Sequence, residues 1–170
     1  MEKVYGSPVR QDGLYKIGRN KWELIYGFGI DGDPENPADA ERGWNWRQRF
    51  THRPTIEEMK EAIISAIKKE SDYNLRYGFK WNGKTVEYSE SLKSDLTGIL
   101  VALQGGLMQF PIEVNLGSAS DGTPAVYSFT SIEELGAVAT GIANHRAQVS
   151  KDEWAAILAL GDMEEYLTEK

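Results

Sequence analysis

The segment Phe79-Lys80-Trp81-Asn82-Gly83-Lys84-Thr85-Val86-Glu87-Tyr88 decides the fold of this chain. Asn-Gly between alternating apolar residues is the strongest short-range hairpin signal, because both turn residues tolerate the positive φ that a two-residue loop demands. Phe79 and Trp81 precede the turn, and Val86 and Tyr88 follow it. The pattern predicts strands near 78–81 and 84–88. Just downstream the apolar spacing changes to threes and fours. Leu92, Leu96, Ile99, Leu100 and Leu103 share one face of a helix near 90–104, which Gly105-Gly106 stops. A second strand pair follows, 110–116 and 125–129, joined through 117–124 with Asp121-Gly122 as its turn. A long helix then starts at Thr130-Ser131-Ile132-Glu133, a capping box in which first-turn side chains satisfy free backbone donors. It buries Ile132, Leu135, Val138, Ala139 and Ile142 and continues to about 148. Ser150-Lys151-Asp152-Glu153 is a further such box. It predicts a break and restart, with Trp154, Ile157 and Leu158 as the new apolar face, Gly161 as its end, and an acidic tail or short helical turn beyond. The order is hairpin, helix, hairpin, long helix.

Upstream of Tyr77 the pattern differs. Residues 1–13 mix Gly, Pro and polar residues and read as an arm. Residues 14–30 read as a hairpin turning at Gly18-Arg19-Asn20, with Trp22, Leu24, Tyr26, Phe28 and Ile30 on one face. Glu23, Ile25, Gly27 and Gly29 fall on the other, as a half-exposed face would have it; two glycines inside a strand also mark a bulge or close packing. After a loop at 31–41, residues 43–50 are again extended, with Trp44, Trp46 and Phe50 facing one way and Asn45, Arg47 and Arg49 the other. This third of the chain is a small antiparallel sheet of about three strands. Thr55-Ile56-Glu57-Glu58 then caps an amphipathic helix over roughly 55–71, whose apolar stripe is Ile56, Met59, Ile63, Ala66 and Ile67. The fold class is therefore α+β. Three regions are expected: a sheet region over 1–54, a linking helix over 55–76 and an α+β domain over 77–170.

Composition bounds the function. At 170 residues, 41% hydrophobic and 26% charged, the chain can bury a core. It has no apolar run long enough for a membrane helix and no apolar leader segment, so neither a membrane nor a cleaved signal is expected. Zero cysteines exclude disulfides, thiolate zinc sites and cysteine nucleophiles. Residues 1–54 carry nine Lys and Arg against eight Asp and Glu; residues 55–170 carry ten against eighteen. An acidic second part repels phosphate backbones, so nucleic acid is not an expected partner of the whole chain.

Few residues carry chemistry. Asp31-Gly32-Asp33-Pro34-Glu35-Asn36-Pro37-Ala38-Asp39 spaces oxygen ligands like the start of a calcium loop, but Asn36 stands where the turn needs Gly and Arg42 where a bidentate Glu belongs. It reads as a solvated loop, and no metal or cofactor is expected. His52 and His145 are the only histidines, and neither has metal-ligand spacing. Phosphate-cradling loops and nucleophile elbows are absent from the sequence, and Glu57/Glu61 and Glu133/Glu134 sit at helix starts where the macrodipole explains them. No catalytic residue is assigned and no enzyme is expected. The best candidate for a ligand surface is Trp44, Trp46, Arg47 and Arg49, whose rings and guanidinium groups could stack on and bind a glycan or single-stranded nucleic acid. The blander reading buries the tryptophans and solvates the arginines.

Residues 77–150 resemble an uncharacterised domain family frequent in bacteriophages and prophages, often within tail-fibre or tail-fibre-assembly proteins. The resemblance is carried by Phe79-Lys80-Trp81-Asn82-Gly83 with Val86, by Asp121-Gly122 before Val126 and Phe129, and by Glu134-Leu135 through His145-Arg146. The N-terminal part, through Tyr26-Gly27-Phe28-Gly29 and Trp44-Asn45-Trp46-Arg47, is similar to small proteins of gut Bacteroidetes and their phages. The resemblance implies a non-enzymatic structural or assembly protein, partnered with a phage tail or fibre protein. It further implies a location in the bacterial host cytoplasm during assembly, or in the virion. Symmetric fibres make a homo-oligomer the expected state.

Overall fold

The computed structural model describes residues 1–30, 43–118 and 123–167. The architecture is α+β, as expected, and falls into two units: Met1–Lys69 with Ala155–Lys170, and Glu70–Trp154. The loop at 31–41 and the Asp121-Gly122 turn lie outside the described residues. No described helix is long and apolar enough to cross a membrane.

In the first unit β1 (Glu2–Ser7), β2 (Gly13–Gly18), β3 (Lys21–Gly29) and β4 (Gly43–Phe50) form one antiparallel sheet in the order β1-β4-β3-β2. The arm expected at 1–13 is thus partly a fourth strand. Glu2 pairs with Arg47 and Tyr5 with Trp44, Lys3 Nζ lies 4.0 Å over the Trp44 ring, and Met1 is buried. The β2–β3 turn uses Asn20 at φ 56°. Register breaks between Tyr26 and Gly29, the bulge that the glycines signalled, and the Trp44 indole fills the space a Cβ on Gly29 would need.

Trp22, Leu24, Trp44 and Trp46 share a face and cluster with Leu14 and with Met59, Ile63, Ala66 and Ile67 of α1 (Ile56–Tyr77). The α1 cap forms as expected: the Thr55 amide donates to the Glu58 carboxylate at 2.8 Å, and the Glu58 amide donates to the Thr55 hydroxyl at 3.2 Å. The helix outruns its expected end at 71, because no Gly or Pro interrupts it before Gly78. The same core takes in Met163 and Tyr166, from a 3-10 turn at Glu164–Leu167 and the residue before it. Hence the divisions at 54 and 76 drawn from sequence are not where contacts divide the chain. The capping box marks a helix start rather than a boundary, and two apolar anchors return the last residues to the first unit.

In the second unit Asn82 (φ 47°) and Gly83 (φ 80°) make the two-residue turn that the sequence demands. Its strands β5 (Lys80–Trp81) and β6 (Lys84–Thr85) are shorter than expected. Val86 and Glu87 instead donate to the carbonyls of Phe79 and Leu116. In α2 (Glu90–Gln104) the Ser89 hydroxyl accepts from the Leu92 amide at 3.1 Å. At its end Leu107 N donates to Ala102 O and Gly106 N to Leu103 O, with Gly106 at φ 66°. That pair of bonds is a Schellman cap, and it explains why Gly105-Gly106 stops the helix.

Strands β7 (Ile112–Ser118) and β8 (Pro124–Phe129) pair antiparallel and lead to α3 (Ile132–Leu158). The α3 cap is displaced by one residue from the expected box. Ser131 accepts from the Glu134 amide, and the Glu134 carboxylate accepts from the Thr130 amide. Nor does the helix break at Ser150. The box there competes with an uninterrupted helical run, and Gln148 donates to Asp152 one turn on, at 2.7 Å. Continuity sets which side chains are covered: Ala156 and Ile157 pack into the first core, whereas Trp154, Leu158 and also Ile132 are exposed. The second core joins Val86, Leu92, Leu96, Val114, Leu116, Phe129, Leu135, Val138 and Ile142.

Candidate functional site

Strand geometry separates the four residues singled out as a ligand surface. Successive side chains of β4 alternate in direction. Trp44 and Trp46 therefore enter the core, 9% and 8% exposed, and meet edge to face with centroids 6.0 Å apart. Arg47 follows Trp46 onto the opposite face with Arg49. Neither indole has a face to offer a sugar or base.

What the other face assembles is a charge cluster around Glu23. Cross-strand pairing sets Glu23 against Arg49 and Ile25 against Arg47. Arg49 Nε donates to Glu23 Oε1 at 2.9 Å and Arg47 Nη1 to Oε2 at 3.3 Å. Glu23 is buried, Arg47 partly so, and Arg49 is largely exposed. A buried carboxylate holding two guanidinium groups is the arrangement expected where ion pairing offsets desolvation. Glu2, paired with Arg47 across β1 and β4, joins Val4, Glu23, Arg47 and Arg49 around a cavity of about 350 Å³. Two carboxylates here balance two guanidinium groups, so the cavity carries no net charge to concentrate an anion.

Next along β4, Asn45 is fully buried; its Nδ2 donates to the Gly27 carbonyl at 2.9 Å, and the Gly27 amide donates to Asp12 Oδ1. Those bonds pin the bulge. Sequence reading placed Glu23 on a half-exposed face and so missed its role. The signal was available: once the hairpin and β4 are paired, an acid flanked by Trp22 and Leu24 must face arginines across the ladder.

The histidines are structural. His52 Nε2 lies 2.9 Å from Glu58 and extends the α1 cap; its contact and the Thr55 amide, which contributes more, hold the Glu58 carboxyl below its ordinary value. His145 Nε2 donates to the Asn74 carbonyl at 2.9 Å, and its ring meets Phe79. On β8, Tyr127 donates to Glu134 and accepts from Asn82, tying the first turn to the α3 cap. The Glu58, Tyr127 and Glu134 contacts thus serve helix caps and a turn. Among the described residues no group of three or more His, Asp or Glu side chains is placed to hold a metal ion.

No family model, curated protein or solved structure matches this chain. In the structure the Asn82-Gly83 turn, the Val86 and Phe129 core positions and the Glu134 cap all serve the second unit's framework.

Proposed function

We propose that the protein is a non-enzymatic phage or prophage structural or assembly protein, associated with a tail or tail fibre and acting through protein–protein contacts. The observation that carries this reading is apolar surface left at the end of α2: Leu107 is 84% exposed, Val101 63% and Met108 38%. The second residue after a Schellman cap ordinarily packs back on the helix it ends. Leu107 holds that position and stays in solvent, which suits a surface kept for a partner. Polar side chains elsewhere brace the fold: the Ser89 hydroxyl caps α2, and Ser131 with Glu134 caps α3. A glycan or single-stranded nucleic acid stacked on Trp44 and Trp46 is disfavoured by their burial.

The partner is a tail or fibre protein, with a homo-oligomer as the resting form. Light scattering coupled to size-exclusion chromatography tests the second point. An oligomer that the double substitution Leu107→Ser, Met108→Ser dissociates without unfolding supports the reading. A monomer at every concentration, whose thermal stability and solubility the same substitutions leave unchanged, would count against it.

A further inference from the structure

The second unit contains a groove, of about 330 Å³, between α2 and α3. Leu92, Leu96, Leu100, Ala139, Ile142 and Ala143 give it an apolar floor. Its volume falls within the ~300–1,000 Å³ typical of small-molecule sites, which are mostly apolar with a few placed polar groups. Here the polar groups gather at one end. Tyr88 donates its hydroxyl to Glu90 at 2.9 Å, and Lys93 reaches the same carboxylate at 3.4 Å. Arg146 lies with its guanidinium carbon 3.9 Å from the Tyr88 ring centroid.

The state of Arg146 decides the chemistry. It is half-buried with its guanidinium carbon over the Tyr88 ring, and among the described residues its guanidinium has no carboxylate within ion-pair distance. A guanidinium whose face rests on a ring keeps its in-plane N–H donors for an acceptor, preferably a carboxylate taken in bidentate fashion. Among the described lining residues the one acid is Glu90, and its single charge is shared by the Tyr88 hydroxyl, Lys93 and the attraction of Arg146. One positive charge is left over at the mouth, in a stretch of chain that is otherwise strongly acidic. An apolar floor with two cations against one acid at its end defines an amphiphile.

We propose that this groove binds a small amphiphilic carboxylic acid, its hydrocarbon body over Leu96, Leu100, Ala139 and Ala143 and its carboxylate on Arg146 with help from Lys93. The groove shares no lining residue with the Leu107 surface and does not depend on the assembly reading. Its ligand is recognised by shape and charge together, so an alcohol or an amine of the same chain length is a poor substitute.

The test is calorimetric titration of the full chain with decanoate below its micelle concentration, beside decanol and decylamine, with amide NMR shifts to locate binding. Saturable decanoate binding that shifts Thr97, Ala139 and Ala143 is expected, with decanol and decylamine at least about tenfold weaker, the loss a charge-assisted bond implies. Arg146→Gln should weaken decanoate about tenfold and leave decanol unchanged, and Arg146→Lys should restore part of the loss. Ala143→Leu, which fills the groove without touching the charge, should abolish binding of every probe, and it serves if Arg146→Gln fails to fold. Absence of saturable binding, equal affinity for decanoate and decanol, or full affinity in both variants would overturn the proposal.

Discussion

Gly136 and Gly141 both lie inside α3, and one substitution should act in opposite directions on them. A Cβ added at Gly136 meets no atom within 4 Å; one added at Gly141 meets the Phe79 ring at 2.7 and 3.0 Å. Replacing an interior helical glycine by alanine removes backbone freedom from the unfolded chain and stabilises by about 0.8–1 kcal/mol. Gly136→Ala should show that gain in full. At Gly141 the same gain competes with a contact that real side chains do not make. Phe79 cannot simply swing away: its ring packs on His145 and the second core, and its carbonyl accepts from the Val86 amide at 2.9 Å. Overpacking of this kind costs about 1–3 kcal/mol, so Gly141→Ala should be neutral at best and destabilising by up to about 2 kcal/mol. Urea unfolding followed by circular dichroism measures both variants. Equal stabilisation by the two would mean that Phe79 does not lie against Gly141, and the packing described for that turn of α3 would be refuted. Loss of stability at Gly136 would refute its open surroundings.

Glu23→Gln should destabilise the first unit by about 1–3 kcal/mol, less than a wholly buried pair because Arg49 reaches solvent; a change under about 0.5 kcal/mol in urea titration would show that the cluster holds nothing. The Glu134 carboxyl is held below its ordinary value of 4.5 mainly by the Tyr127 hydroxyl and next by the Thr130 amide. A depressed folded value means stability that is present above pH 4.5 and lost as pH falls through the folded value, so Tyr127→Phe should raise the Glu134 midpoint in a carbon-detected NMR titration. An unmoved midpoint contradicts that assignment. Of the five tryptophans, Trp154 is 64% exposed while Trp22, Trp44 and Trp46 are buried. Trp81 is half-buried, so iodide quenching should fall sharply in the double variant Trp81→Phe, Trp154→Phe, and quenching that persists undiminished there would put Trp22, Trp44 and Trp46 at the surface after all.

The sequence by itself determined the α+β class, the Asn82-Gly83 turn, the Thr55 helix start and the Gly105-Gly106 stop. These features close their hydrogen bonds within a few residues, so local spacing and φ preference suffice to write them. It also set which face of β4 is aromatic and which is basic, because alternation along a strand is a property of the backbone. Where two local signals overlapped, tertiary context chose between them: Ser131 and Glu134 cap α3 in place of Thr130 and Glu133, and the third box is absorbed into a continuous helix. Only the tertiary structure turned Glu2–Ser7 into a strand, brought Met163 and Tyr166 back to the first core, gathered Arg47 and Arg49 on Glu23, and laid Arg146 against Tyr88. These pairings join residues remote in sequence, and what fixes them is the apolar surface and charge that a distant partner covers. No local pattern encodes the partner, and for that reason the Trp44–Arg49 surface dissolved while the groove beside Arg146 went unread.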